Sequence, residues 1–168
     1  MKPLRAGANV FLFLTLVIGC SQTEKSTIET EKKNIDAVYA KMSLAYKTYD
    51  IKLIEEIYTA EAFNIYAAGK DTVKYGLKNF INGFKRTFDY HRERETGLNM
   101  KFKFLERRID KTMAYDIGYF KIDKVDKQGV KTPGIPGKFV TVLLKQPDGS
   151  WKFQVDIYGD ATESAFKD

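Results

Sequence analysis

Cysteine and histidine are almost absent from this chain: Cys20 and His91 are the only residues of their kinds. A single cysteine excludes an internal disulfide. One histidine and one cysteine cannot furnish a histidine-based metal motif. An all-carboxylate site would need Asp116, Asp123, Asp126 and Asp156 to be gathered by the fold, so no metal and no cofactor is expected. A glycine-rich phosphate loop is missing too, because Gly134 and Gly137 alternate with Pro133 and Pro136 ahead of a strand, which is hairpin punctuation and not a nucleotide cradle. No serine or cysteine nucleophile is arranged with His91, which reads as a packed residue at a helix end. There is no internal repeat and no low-complexity tract.

What is present fits one domain with a short appendage. The 168 residues suffice to bury a core without covalent staples. The formal charge is +6, and it falls to +4, 26 basic against 22 acidic residues, once the first 19 residues are set aside. The basic residues are spread over the whole length, so a solvated surface is expected and no nucleic-acid partner. Aromatic residues make up 14% of the chain and fall at core spacings, not as stacking platforms between basic residues.

The N-terminus carries an address. Lys2 and Arg5 precede an apolar run, Val10 to Ile18, about half the roughly 20 residues that span a bilayer, which is the pattern of an export signal. Val17, Ile18, Gly19 and Cys20 resemble the lipobox of bacterial lipoproteins, with valine where leucine is commonest. The resemblance implies cleavage ahead of Cys20 and acylation of Cys20 by palmitate-type chains. It also implies extracytoplasmic residence at the bacterial cell envelope, with Ser21 favouring the outer membrane where there are two. Residues 1–19 are then the signal peptide, 20–27 the lipidated cysteine and a polar tether, and 28–168 the domain.

In that domain a helical stripe runs through Ile28, Ile35, Val38, Tyr39, Met42, Ala45, Tyr46 and Tyr49. Asp50 caps a second helix with Ile51, Leu53, Ile54, Ile57 and Tyr58. Phe63 to Tyr66 reads as a short strand. Gly76 opens a third helix with its stripe at Leu77, Phe80, Ile81, Phe84, Phe88 and His91. Strands follow from Gly97, over Met113 to Val125, and in a closing hairpin whose arms, Lys138 to Lys145 and Trp151 to Tyr158, flank Pro147, Asp148, Gly149 and Ser150. In the last arm Trp151, Phe153, Val155 and Ile157 alternate with Lys152, Gln154, Asp156 and Tyr158, which puts Asp156 opposite the apolar face.

Several of these pieces, in this order, resemble one family. Asp50-Ile51-Lys52-Leu53-Ile54 with Ile57-Tyr58, Gly76, the run Ala114 to Phe120, Gly137-Lys138-Phe139, Asp148 to Phe153 and Asp156-Ile157-Tyr158 are similar to the SnoaL-like members of the nuclear transport factor 2-like superfamily, which includes ketosteroid isomerases. The resemblance covers Ile28 to Asp160. It implies an α+β fold, three N-terminal helices packed on a curved, mainly antiparallel sheet closed into a cone, with a pocket at the open end and often a homodimer through the outer sheet face. It places Met42 and Tyr66 where the isomerases keep a catalytic tyrosine and aspartate. A thioether cannot donate a hydrogen bond and a phenol is a poor base at neutral pH, so that isomerase chemistry is not expected.

Tyr46, Tyr66, Phe88, Asp116 and Trp151 are the candidate pocket residues. Asp116 shares a strand face with Ala114 and Gly118, small residues that leave room either for a cavity or for a packed helix; it is the acid that would serve an enzyme, or else it pairs with a neighbouring base at the sheet surface. The expected work is the holding of a small apolar or amphipathic ligand or an envelope partner, the alternative an isomerase, cyclase or hydratase using a pocket acid. A homodimer is expected because Tyr115, Ile117 and Tyr119, and Val140 and Val142, add apolar residues to the second face of their strands.

Overall fold

The computed structural model describes residues 18–67, 73–134 and 136–166, with side chains from residue 27 onward. Residues 1–17 of the segment expected to be a signal peptide, and the side chain of Cys20, lie outside the described residues.

The first helix, α1 (Ile18–Thr48), already includes the ten described residues ahead of the expected Ile28. No glycine or proline interrupts the chain from Cys20 to Ala68, so nothing stops the helix from propagating backward through the polar segment. Its buried stripe is Ile35, Val38, Tyr39, Met42 and Ala45, the spacing of one helix face. Tyr49 ends it with φ 58°, and the Asp50 carboxylate then accepts from the Lys52 amide at 2.9 Å, capping α2 (Ile51–Ile57). The chain turns directly into β1 (Tyr58–Tyr66), five residues earlier than the expected strand. A short edge strand, β2 (Val73–Tyr75), folds back on β1, and Gly76, at φ 82°, leads into α3 (Leu77–Glu93), which buries Phe80, Ile81 and Phe88. β3 (Gly97–Ile109), β4 (Met113–Val125), the two-residue β5 (Lys131–Thr132), β6 (Pro136–Lys145) and β7 (Trp151–Asp160) follow, and a 3-10 turn (Glu163–Phe166) closes the described chain.

The strands form one sheet in the order β2-β1-β7-β6-β4-β3, with β5 beside β4. All neighbours are antiparallel except β1 and β7, which run parallel. The expected β6–β7 hairpin closes as its residue types require: Gly149 has φ 84°, and the Asp148 carboxylate accepts from the Ser150 amide at 2.9 Å. The helices cover one face of the sheet, and Ile35, Ile54, Ile57, Tyr58, Leu143 and Phe153 form the centre of the core between them. Glu31 ties α1 to the hairpin, accepting from Lys145 Nζ at 2.5 Å and from the Trp151 indole at 2.7 Å. Those two bonds hold its carboxyl below the usual range.

Two irregularities matter for the site. Between β6 and β7, Val142 stands opposite Val155 but Leu143 opposite Phe153, so Gln154 is an extra residue on β7. A bulge of this kind reverses which side chains face the core. Trp151 and Phe153 face the helices before it, Asp156 and Tyr158 after it. The expectation that Asp156 lies opposite the apolar face is therefore overturned, because strict alternation does not survive the inserted residue. Close packing shapes the same face at Gly137, where a Cβ would lie 2.2 Å from the Phe120 ring; only glycine lets that ring lie flat across β6.

Candidate functional site

A cavity of about 590 Å³ lies between α1, α3 and the helix-facing side of the sheet. Its size is that of ordinary small-molecule sites. Aromatic rings make most of the wall: Tyr46 from α1, Phe80, Phe84 and Tyr90 from α3, and Phe102, Phe120, Phe139, Phe153 and Tyr158 from the sheet. The helical spacing of α3 supplies one bank of rings, and the concave strand faces supply the other. Met42, Met100 and Ile122 fill the gaps between them.

Across this apolar bowl the register of six strands lays down one polar row. Arg107 on β3 stands opposite Asp116 on β4, Asp116 opposite Thr141 on β6, Thr141 opposite Asp156 on β7, Asp156 opposite Asn64 on β1, and Asn64 opposite Lys74 on β2. Directly opposed residues project from the same face of a sheet. The row divides into two halves with different roles.

The β3–β4 half is closed. Asp116 is fully buried and accepts both guanidinium bonds of Arg107, from Nε at 2.6 Å and from Nη2 at 3.0 Å. Arg107 also donates to Asp36 of α1 at 2.6 Å. Burial works against the guanidinium charge, but the two carboxylates outweigh it and raise its pKa. Thr141 and Tyr39 share a hydrogen bond of 2.6 Å, and burial, followed by the nearby Asp116, pushes the Tyr39 phenol well up. Tyr39 and Thr141 reach the cavity wall; Asp116 does not.

The β7–β1 half is open to the cavity. Asp156 accepts from Tyr58 Oη at 2.5 Å and from Asn64 Nδ2 at 3.3 Å. Burial among protein atoms raises its carboxyl to about 6, and the two donors hold it from rising further. Asp156 is half-buried and lines the cavity. Burial and the adjacent Asp156 also push the phenols of Tyr58, Tyr46 and Tyr158 up, so all three remain hydrogen-bond donors at neutral pH. Among the described residues the Tyr46 and Tyr158 hydroxyls have no hydrogen-bond partner, and both side chains line the cavity beside Asp156.

No family model matches the sequence, and no curated protein does. Solved structures do match. A nuclear transport factor 2-like superfamily protein from Salmonella enterica serovar Typhimurium superposes with a TM-score of 0.63 at 15% identity, over 84% of this chain and 98% of that one. The fold is the nuclear transport factor 2-like cone. A ketosteroid isomerase-like protein from Erwinia carotovora shares it with a TM-score of 0.55 at 17% identity, over 77% and 95% of the two chains. Aln2 from a Streptomyces species does so with 0.66 at 13% identity, over 78% and 90%.

Within this nuclear transport factor 2-like cone the expected site residues divide. Tyr46 lines the cavity. Phe88 is buried behind it, 5.3 Å from the Tyr46 ring, and supports the wall without forming it. Tyr66 packs at a tilt against Tyr158, ring centroids 5.4 Å apart, and donates to Asp160 at 3.0 Å outside the cavity. Trp151 is core, its indole spent on Glu31. Asp116 is neither a cavity acid nor a surface acid but a buried partner of Arg107. His91 stands at the cavity edge near the end of α3, its Nδ1 buried without a hydrogen bond among the described residues. Asp116, Asp123, Asp126 and Asp156 do not converge: among the described residues no three acidic, cysteine or histidine side chains come close enough to hold a metal ion. Asp156, Tyr58 and Asn64 are the polar centre that sequence reasoning missed. The signal for it was the Asp156-Ile157-Tyr158 segment itself, which alternation assigned to the wrong face.

Proposed function

We propose that this domain is a lipid-anchored binding protein of the bacterial envelope that holds a small, largely apolar molecule in its cone. The observation that carries the reading is a cavity walled by aromatic rings with one carboxyl, Asp156, on its described wall and the unpartnered phenols of Tyr46 and Tyr158 beside it. The rings supply affinity by burial, and the few polar groups orient a ligand's hydrogen-bonding atom. The Cys20 signal supports the anchoring half. The described core side chains lie between Ile35 and Phe153, all within the chain from Ser21 onward, so that chain serves for tests without the anchor.

The test of binding is fluorescence of N-phenylnaphthylamine, a neutral apolar dye, with the chain from Ser21. The expected result is saturable enhancement that is lost in Gly83→Leu. Gly83 lines the cavity from α3 and a Cβ there meets no atom within 4 Å, so a leucine can be introduced at the wall without a clash at Cβ. Equal enhancement in both proteins would refute binding in the cone. The test of anchoring is the mature protein's mass and detergent partitioning, with Cys20→Ala expected to leave the detergent phase.

A second reading is proton transfer at a carbon acid, favoured by the Asp156 carboxyl at about 6. Ionised Asp156 would take a proton from carbon next to a carbonyl and return it to another carbon, so the reaction is an isomerisation with no net proton consumed. Tyr46 or Tyr158 would donate to the carbonyl oxygen as negative charge develops there. Asp156→Asn would then abolish turnover and leave dye affinity within a few-fold.

A further inference from the structure

The charged groups around the cavity are unevenly placed. Its described lining includes two full cations, Lys74 and Arg86, together with His91, and a single acid, Asp156. Asp156 is engaged at the inner wall by Tyr58 and Asn64. Lys74 and Arg86 are exposed, Lys74 on the edge strand β2 and Arg86 on α3, so they approach the mouth from two different elements. Among the described residues neither makes a hydrogen bond or an ion pair. Other basic side chains do find acids: Lys41 reaches Glu56 at 2.8 Å, Arg92 reaches Asp89 at 2.5 Å and Lys101 reaches Asp123 at 3.2 Å. Among the described residues no carboxylate at the mouth answers the two cations.

Resting on the ligand-binding reading above, we infer that the cavity takes an amphipathic anion, its carboxylate or phosphate head held between Lys74 and Arg86 at the mouth and its apolar body among the rings. A neutral ligand would leave both cations without a partner in the complex. A cationic one would meet repulsion at entry, reinforced by Lys124 and Arg94, whose charges both act on His91 at the same edge. The anion is complementary at both ends, and rim charges of this kind set selectivity and entry rate more than total affinity.

The experiment displaces N-phenylnaphthylamine from the chain beginning at Ser21 with four matched compounds: dodecanoate, dodecyl phosphate, dodecanol and dodecylamine, each below its micellar concentration. One or both anions should bind roughly five-fold tighter than dodecanol, the size expected of two partly solvated ion pairs. Dodecylamine should be the weakest. The advantage of the anion should vanish in the Lys74→Ala, Arg86→Ala double variant, which removes only exposed side chains, and should shrink in high salt. Whether dodecanoate or dodecyl phosphate leads separates a carboxylate source from a phosphate ester. If dodecanol competes as well as both anions, or the double variant keeps the preference, the inference is overturned while the cavity remains a binding site. If the dye signal survives Gly83→Leu, the binding reading itself falls and takes the inference with it.

Discussion

The Tyr58 hydroxyl lies 2.5 Å from Asp156 Oδ2, bridging the start of β1 and the far side of the β7 bulge. Tyr58 follows α2 directly and Asp156 belongs to the last strand, and the bond requires both the parallel β1–β7 pairing and the extra residue at Gln154. Without the bulge Asp156 would face outward, and the buried Tyr58 hydroxyl would be left without an acceptor, a loss of about 1–3 kcal/mol.

The raised Asp156 carboxyl makes stability fall as pH rises. In the unfolded chain this group ionises near 4, in the folded protein at about 6, so between those values the folded state binds the additional proton. The unfavourable contribution is absent below about 4 and complete above about 6, and it amounts to on the order of 3 kcal/mol. Chemical denaturation of wild type and Asp156→Asn at pH 4 and pH 7.5 checks this. Wild type should lose stability relative to the variant at the higher pH, and parallel profiles would contradict the assignment.

Asp116 should behave as a structural acid. Asp116→Ala leaves Arg107, only 14% exposed, with Asp36, itself 60% exposed, as its remaining carboxylate partner. Removing one member of a buried pair costs about 3–5 kcal/mol. Denaturant unfolding should show that loss, while dye affinity at the cavity stays within two-fold after correction for folded fraction. A change in affinity as large as that of Gly83→Leu would place Asp116 in the site after all.

Local pattern carried most of the elements. The stripe of α3, the Asp50 cap and the Asp148-Gly149 turn each depend on neighbours in sequence, and each stands where residue types put it. The polar row does not work that way. Lys74, Asn64, Asp156, Thr141, Asp116 and Arg107 come from six strands and meet only through long-range register, which no residue encodes alone. Asp116 was legible as an unusual acid among small residues, but its partner sits across a strand pairing interrupted at Leu105, an offset that alternation does not foresee. Asp156 was visible and was assigned to the wrong face for the same reason, one inserted residue. Trp151 and Phe88 show the complementary error: large aromatics suit a pocket wall and a core equally, and only packing decides.

Filling the cavity should stabilise the protein while it removes binding. Gly83 sits inside α3, where glycine costs about 0.8–1.0 kcal/mol relative to alanine. Open space surrounds its Cβ position, so Gly83→Leu adds helix propensity without a clash at Cβ. Thermal unfolding should rise by a few degrees, with N-phenylnaphthylamine enhancement lost. A drop in the unfolding temperature would show that the space at Gly83 closes in solution.

The outer face of the sheet predicts self-association. Tyr115 and Ile117 of β4 stand opposite Val142 and Val140 of β6, and these in turn opposite Val155 and Ile157 of β7, so an apolar patch three strands wide faces away from the helices. Tyr115, Ile117 and Val140 remain 36–37% exposed, an arrangement that costs solvation on a lone molecule. The same bulge that turns Asp156 inward turns Val155 and Ile157 outward, so the device that builds the cavity also widens the patch. A second copy offers an equal surface and a two-fold arrangement that closes on itself. Sedimentation of the chain from Ser21 should show a dimer at micromolar concentration, and Ile117→Lys, which sets a charge in the middle of the patch, should shift it to monomer without changing dye affinity per chain. A wild-type chain that stays monomeric at the highest accessible concentration would leave the patch to another surface, and Ile117→Lys would then alter solubility alone.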